Sequence, residues 1–287
     1  MLKKISFLFY KILFIFDKFF QLIFRKSILF WFKDFLNDDS YKSKIILDKK
    51  INFFIPNKLT EWRVDTFFSK EPETLEWIDT FDKNQKFIFW DIGANIGLYS
   101  IYNSLKNEHS SSIAFEPSTS NLRVLSRNIS INNLENKIKI FPMPLNNSEN
   151  SFLTMNENDF IEGGALNSFG DEVNYEGKRF KSKMKYSIIG TTINYLLKNS
   201  FLEIPDYIKI DVDGIEHLIL EGANEFLNHK KIKSLSIEIN ENYEEHYKKV
   251  LSIMSSNQFK ILHKKNNQDM LSNNKKFNKI YNYVFVR

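Results

Sequence analysis

"FWDIGANIGLYS" (residues 89–100) continues an apolar run that begins at Phe87. It meets a carboxylate at Asp91, passes Gly93 and Gly97, and resumes as an apolar stretch compatible with a helix. A short apolar run bounded by turn residues reads as a buried strand, so the stretch reads strand–turn–helix. Glycines and an acid at a strand tip cost stability unless the backbone must turn tightly there or be approached closely.

The same alternation runs along the chain. Residues 86–91, 111–116, 137–142, 207–212 and 234–239 read as strands, and 97–105, 119–132, 215–227 and 244–255 as helices. Residues 259–263 and 281–286 close the chain as an antiparallel pair around a polar loop. Strands alternating with helices predict an α/β fold, a mainly parallel sheet covered by helices on both faces, over residues 86–287. Ahead of it, residues 45–85 hold a hairpin at 45–56 and a helix at 69–81 that cover the core. A polar, glycine-containing stretch at 146–179 is too long for a simple connection. It reads as a lid or substrate wall hinged at Gly163 and Gly164, or as a decorative loop.

The chain has 287 residues and no cysteine, which excludes disulfides and thiolate metal sites. Its charge of +5 is segregated: residues 1–36 carry seven basic and two acidic residues, and the 33 basic and 33 acidic residues beyond them cancel. The body therefore offers no basic surface for tracking phosphates, and no nucleic-acid partner is expected. In residues 1–44, an extension and polar linker, Lys4, Lys11, Lys18 and Arg25 recur every seven residues among Phe, Ile and Leu. That spacing makes one cationic stripe on an amphipathic helix. No uncharged run approaches the roughly 20 residues that span a bilayer, and Lys11 interrupts any signal-like apolar region. Residues 1–36 read either as a helix in the headgroup layer of a membrane or as one packed on protein, and the sequence leaves both open.

Ligands of open α/β sheets sit beyond the carboxyl ends of the strands. The first strand ends at Asp91, Gly93 and Gly97; the second at Glu116; the strand from 207 at Asp211, Asp213 and Gly214; the strand from 234 at Glu238 and Asn240. The glycine spacing is neither G-x-G-x-x-G nor a phosphate loop. Asp91 would repel pyrophosphate and attract an ammonium. Glu116, 25 residues later, is placed for ribose hydroxyls. A cationic nucleoside bearing an amino-acid group, S-adenosylmethionine, fits that arrangement.

Together "FWDIGANIGLYS", "IAFEPSTSNLRVLSRNISINNL" and "DYIKIDVDGIEHLILEGA", with "FFSKEPETLEWI" and "GGALNSFG", resemble the FkbM family of class I S-adenosylmethionine-dependent methyltransferases over about residues 62–240. The resemblance implies a Rossmann-like seven-stranded fold, a cofactor loop of Asp91, Gly93, Asn95 and Gly97, and Glu116 on the ribose. It also implies methylation of oxygen, often of sugar hydroxyls, with Trp62, Arg63, Lys70 and Glu71 over the acceptor side. Asn194 departs from the family, where Asp is usual.

A hydroxyl acceptor needs in-line placement and a base for its proton. The candidates are Asp211, Asp213, His217 and Glu238, with Glu216 as a helix-terminus alternative. His217 has the most suitable ordinary pKa, or is a capping histidine. Lys209 in a buried strand reads as an ion-pair partner, or as the group that keeps Asp211 ionised. Clustered carboxylates would also accept Mg²⁺ or Ca²⁺, but no spacing is specific for a metal and a divalent ion is not favoured. The expectation is an O-methyltransferase of a glycan, polysaccharide or glycolipid intermediate, cytoplasmic and peripheral on the inner membrane face. The alternatives are methylation of another small molecule, a protein or nucleic acid, or a non-catalytic scaffold.

Overall fold

The computed structural model describes residues 1–170, 172–266 and 279–287. Helices α1 (Leu2–Phe24) and α2 (Leu29–Asp38) open the chain, followed by an antiparallel ribbon of β1 (Tyr41–Ile46) and β2 (Lys49–Phe54). Half of the expected linker thus lies inside β1, where only Ile46 is buried, so the strand carries no apolar signature. Next come α3 (Lys58–Asp65), α4 (Phe67–Lys70) and α5 (Pro72–Asp79). Asn57 caps α3 through the Leu59 and Thr60 N–H groups, and Pro72 starts α5 where its missing N–H costs nothing.

The core continues as β3 (Phe87–Ile92), α6 (Leu98–Lys106), β4 (Ser110–Phe115), α7 (Thr119–Ser130) and β5 (Ile138–Phe141). After it come β6 (Ser151–Glu157), β7 (Ser168–Phe169), β8 (Met184–Gly190), α8 (Ile193–Lys198), β9 (Tyr207–Ile210) and α9 (Glu216–Glu221). The chain closes with β10 (Ser234–Asn240), α10 (Glu244–Ser256), β11 (Lys260–Lys265) and β12 (Ile280–Val286). Seven strands pair in the order β5-β4-β3-β9-β10-β12-β11, all parallel except β12, which is antiparallel to both neighbours. The loop expected between the closing strands lies, at residues 267–278, outside the described residues. From β3 the chain steps to β4 and β5, then returns to β9 on the other side of β3. The gap above β3 and β9 is therefore the topological switch point, where such sheets bind ligands.

Side chains alternate across this sheet. Trp90, Ile92, Ile208, Ile210, Leu235 and Ile237 pack beneath α8–α10. Phe87, Phe89 and Tyr207 pack beneath α5 and α6 on the other face, with Trp77 and Phe81 of residues 45–85. Phe81 stacks on Tyr207 at 3.7 Å, so that segment shares one core with the sheet. Toward the strand tips the α5/α6 face turns polar. Asp91, Lys209 and Ser236 lie side by side in register across β3, β9 and β10, and Asn282 of β12 stands opposite Glu238.

Residues 146–190 are more ordered than a lid loop. β6 pairs with β8 from Ser151↔Gly190 to Glu157↔Met184, and β7 flanks β6. Between β6 and β7, residues 158–167 form a strap across the sheet tips. The expected helix at 215–227 is helical only to Glu221, and turns follow from Gly222. A Cβ on Gly222 would stand 2.3 Å from the Asn146 carbonyl oxygen.

Candidate functional site

The turn after β3 is shaped first by packing. Gly93 has φ +85°, and a Cβ there would sit 1.9 Å from the Asp211 carbonyl oxygen, so only glycine lets the tips of β3 and β9 touch. Gly97 (φ +88°) starts α6, and a Cβ on it would stand 2.5 Å from Leu125 of α7. Its demand comes from helix packing, and it does not line the cavity above the sheet. Asp91 also sits below that cavity, fully buried on the α6 side. Its Oδ2 accepts hydrogen bonds from the Ser100 N–H (3.1 Å) and hydroxyl (2.7 Å), while Oδ1 has no partner among the described residues.

The cavity measures about 820 Å³, room for a nucleoside and an acceptor together. At one end Glu116 accepts from the Asn95 N–H (2.7 Å) and the Ser118 N–H (2.9 Å), one on each oxygen. Each oxygen keeps acceptor capacity for a diol. Burial pushes this carboxyl up to about 7, against those two N–H groups, which favour the charged form. Beyond Glu116 the walls are apolar (Phe115, Pro117, Met143, Leu145), a slot for a flat base. Asn95, at φ +52°, lines the cavity and has an unpartnered buried Oδ1. The strap is pinned over this end. Asn95 and Asn121 donate to the Gly164 carbonyl (2.7 and 3.1 Å), Arg63 Nε donates to the Gly163 carbonyl (2.6 Å), and Asp213 accepts from the Leu166 N–H (2.6 Å). Both expected hinge glycines are thus fixed in this state.

At the other end, Glu71, Asp211 and Glu238 bring carboxylate oxygens within 4.8 Å of one another. Glu71, between α4 and α5, is ion-paired to Lys70 and accepts from the Tyr99 hydroxyl (2.8 Å). Burial would raise it, but Lys70 and Lys209 outweigh burial and hold it well below the usual range. Lys209, 1% exposed, pairs with Asp211 Oδ2 at 2.6 Å and lies 4.9 Å from the centre of the Tyr99 ring. Among the described residues Glu238 pairs with no cation of its own; burial, then Asp211 and Glu71, drive it well above the carboxylate range. Asp213, at φ +64°, faces the strap instead; burial and Asp211 push it up to about 7. The turn at Gly214 therefore splays Asp211 and Asp213 apart.

His217 does not join them. Glu216 turns inward, accepting from the Val212 N–H (3.2 Å) and the Gly214 N–H (3.1 Å) and pairing with His246 Nε2 at 2.6 Å. One helical position on, His217 is rotated toward α10, with ring centres 5.1 Å from His246 and 6.3 Å from Tyr243. It does not line the cavity, and burial, then His246, lowers it to about 4. Asn194 is equally remote. It ties α8 to the turn after α9 through Asn224 (2.7 Å), while Thr192 caps α8. Sequence reading missed Tyr99 and Asn282. Tyr99 lies in the opening stretch, two residues past Gly97, so helix phase could have placed it against Lys209. Asn282 donates to Glu73 (2.9 Å) along the acid-lined wall and follows from the register of β12 alone.

A model of the methyltransferase FkbM domain matches residues 91–261. The chain belongs to the FkbM methyltransferase family. Methyltransferase sdnD of Sordaria araneosa is 30% identical over 156 residues, 47% of this chain and 60% of that protein, so the match spans less than two thirds of the relative. Among solved structures, methyltransferase FkbM from Methylobacillus flagellatus KT aligns at 13% identity and TM-score 0.45, covering 80% of this chain and 62% of that one. M. capricolum TrmK, solved with S-adenosyl-homocysteine, aligns at 14% identity and TM-score 0.42, covering 74% of this chain and 66% of that one. The donor of FkbM methyltransferases is S-adenosylmethionine, and the residues here fit it. Glu116 suits a ribose, the apolar slot a purine, and the orphaned Oδ1 of Asn95 offers an acceptor toward an ammonium, whereas Asp91 lies below the cavity.

Proposed function

We propose that this FkbM methyltransferase methylates a hydroxyl oxygen, that of a sugar in a glycan, polysaccharide or glycolipid intermediate, at the inner face of a membrane. The observation that carries the reading is the carboxyl cluster Glu71–Asp211–Glu238, set in the same cavity as Glu116 and at its opposite end. Carboxyl oxygens in a cavity that Trp62 and Tyr281 also line suit a polyol with one apolar face. Bound S-adenosylmethionine would supply an electrophilic methyl group on a sulfonium.

The chain's own residues position the acceptor and take its proton. Asp211, at the tip of β9 and in backbone contact with Gly93, accepts the hydroxyl proton as the oxygen gains its methyl group. Lys209 holds the Asp211 carboxylate in place. The strap and Arg63 exclude water from the transfer. Lys70 and Lys209 pair with Glu71 and Asp211, so two of the three carboxyls already have a cation.

The test is methyl transfer from labelled donor to cell glycan extracts, run beside donor calorimetry. Asp211→Asn is expected to lower kcat by about 10²–10⁴-fold with donor affinity kept within about threefold. Glu116→Ala is expected to abolish donor binding. Wild-type rates from Asp211→Asn would remove Asp211 as the base, and label entering only protein or RNA would remove the glycan acceptor.

A further inference from the structure

The least explained surface of the molecule is its first 38 residues. Asp17 is the one buried residue in α1, and α2 has none. Asp17 accepts from Gln21 Nε2 (2.6 Å), the Ser27 hydroxyl (3.0 Å), and the Ile28 and Leu29 N–H groups (2.6 and 3.2 Å). A single carboxylate thereby satisfies the start of α2 and folds the two helices into a hairpin. Every large apolar side chain along the outer face of α1, from Leu8 and Phe9 to Phe16, Phe19 and Ile23, is exposed. On α2, Trp31 and Phe35 are exposed as well, at 62% and 61%. Exposed aromatic surface on this scale marks an interaction site.

We propose that the α1–α2 hairpin seats in an anionic phospholipid bilayer, its aromatic faces at the level of the upper acyl chains and its cations on the lipid phosphates. Three observations choose this occupant. Among the described residues no helix is long and apolar enough to cross a membrane, so the hairpin would lie in the surface. The hairpin, residues 1–38, carries seven basic and three acidic residues, +4 of the chain's +5, which matches anionic headgroups and would repel a second copy presenting the same face. The cations also sit beside rings, Lys11 at 5.3 Å from the Phe7 centroid and Lys18 at 5.5 Å from that of Phe14, the mixture of ring and charge that suits a headgroup layer. The hairpin is wired to the active cavity as well. Arg123 of α7 donates to Asn37 at the end of α2 (2.8 Å) and to Glu162 on the strap (2.6 Å). The surface itself stands on these residues, and only the source of the acceptor rests on the function proposed above.

The experiment floats the full chain with vesicles of phosphatidylcholine alone or mixed with phosphatidylglycerol, and reads tryptophan emission. No methyl transfer is measured, so the glycan assignment can fail while this result stands. The expected result is salt-sensitive binding to the phosphatidylglycerol vesicles with a blue shift that Trp31→Phe removes. The combined variant K4E/K11E/K18E/R25E should bind at least about tenfold more weakly. F16S/F19S should lose binding at every salt concentration. All substituted side chains but Arg25, which ends α1, lie on the exposed outside of α1, and unchanged circular dichroism and melting confirm that each variant is folded. Equal flotation of wild type and the charge variant would overturn the proposal. So would a lack of binding to the phosphatidylglycerol vesicles, with a dimer in light scattering then pointing to a second copy as the occupant.

Discussion

At the scale of single residues, the tightest constraint is Gly93. Gly93→Ala forces a Cβ into the Asp211 carbonyl at a φ that side chains avoid. It is expected to cost about 3 kcal/mol or more and to abolish donor binding even where folded protein remains, measured by denaturant unfolding and calorimetry. Glu116 gives a pH dependence. Its pKa is raised to about 7, and the charged form accepts more strongly from ribose hydroxyls. Donor affinity should therefore be full above about pH 8 and weaken as pH falls below about 7. Calorimetry at pH 6, 7 and 8 reads this, and Glu116→Gln should flatten the profile at a lower affinity. The acids at the strand tips were legible in the sequence because each follows an apolar run. His217 was not placed, because its direction depends on helix phase after the Gly214 turn. Glu71 reads in sequence as a helix-dipole acid; its place beside Asp211 and Glu238 is set by the packing of α5 on the sheet.

At the scale of elements, helices and central strands follow from periodicity, and the misses share one cause. The hairpin expected at 45–56 is the β1–β2 ribbon, but its start at Tyr41 and all of β8 are half-exposed and carry no apolar run like that of β3 or β9. The β1–β2 ribbon packs Ile46, Ile51, Phe53 and Phe54 into the core and is tied there by a buried side chain as well. Asn128 of α7 accepts from the Phe54 N–H (2.8 Å) and donates to the Ile96 carbonyl (2.9 Å). Asn128→Ala would orphan both groups and should cost about 1–3 kcal/mol. The melting temperature should drop by about 2–10 °C, with little change in donor affinity. A wild-type melt would show that these two hydrogen bonds are dispensable to the core.

At the scale of the whole molecule, residues 45–85 are part of the core rather than a cover over it. Trp77 and Phe81 pack on Phe87, Phe89 and Tyr207. A chain beginning at residue 86 should accordingly lack near-ultraviolet dichroism and a cooperative melt, whereas one beginning at residue 39 should keep both. A cooperative melt from the shorter chain would show that the sheet needs no such support. Because Lys70 and Lys209 already pair with two carboxyls of the acid cluster, methyl transfer should proceed undiminished in EDTA; loss of rate restored by Mg²⁺ would place an ion among Glu71, Asp211 and Glu238. The contact between Gly93 and the Asp211 carbonyl has one more consequence, for anyone redesigning the protein. Donor grip and proton removal share a single hinge-free joint, so residues 91–97 and 209–214 form a chassis to be inherited intact. New acceptor preferences are better sought by exchanging cavity-lining side chains outside those two segments, such as Leu59, Trp62 and Tyr281.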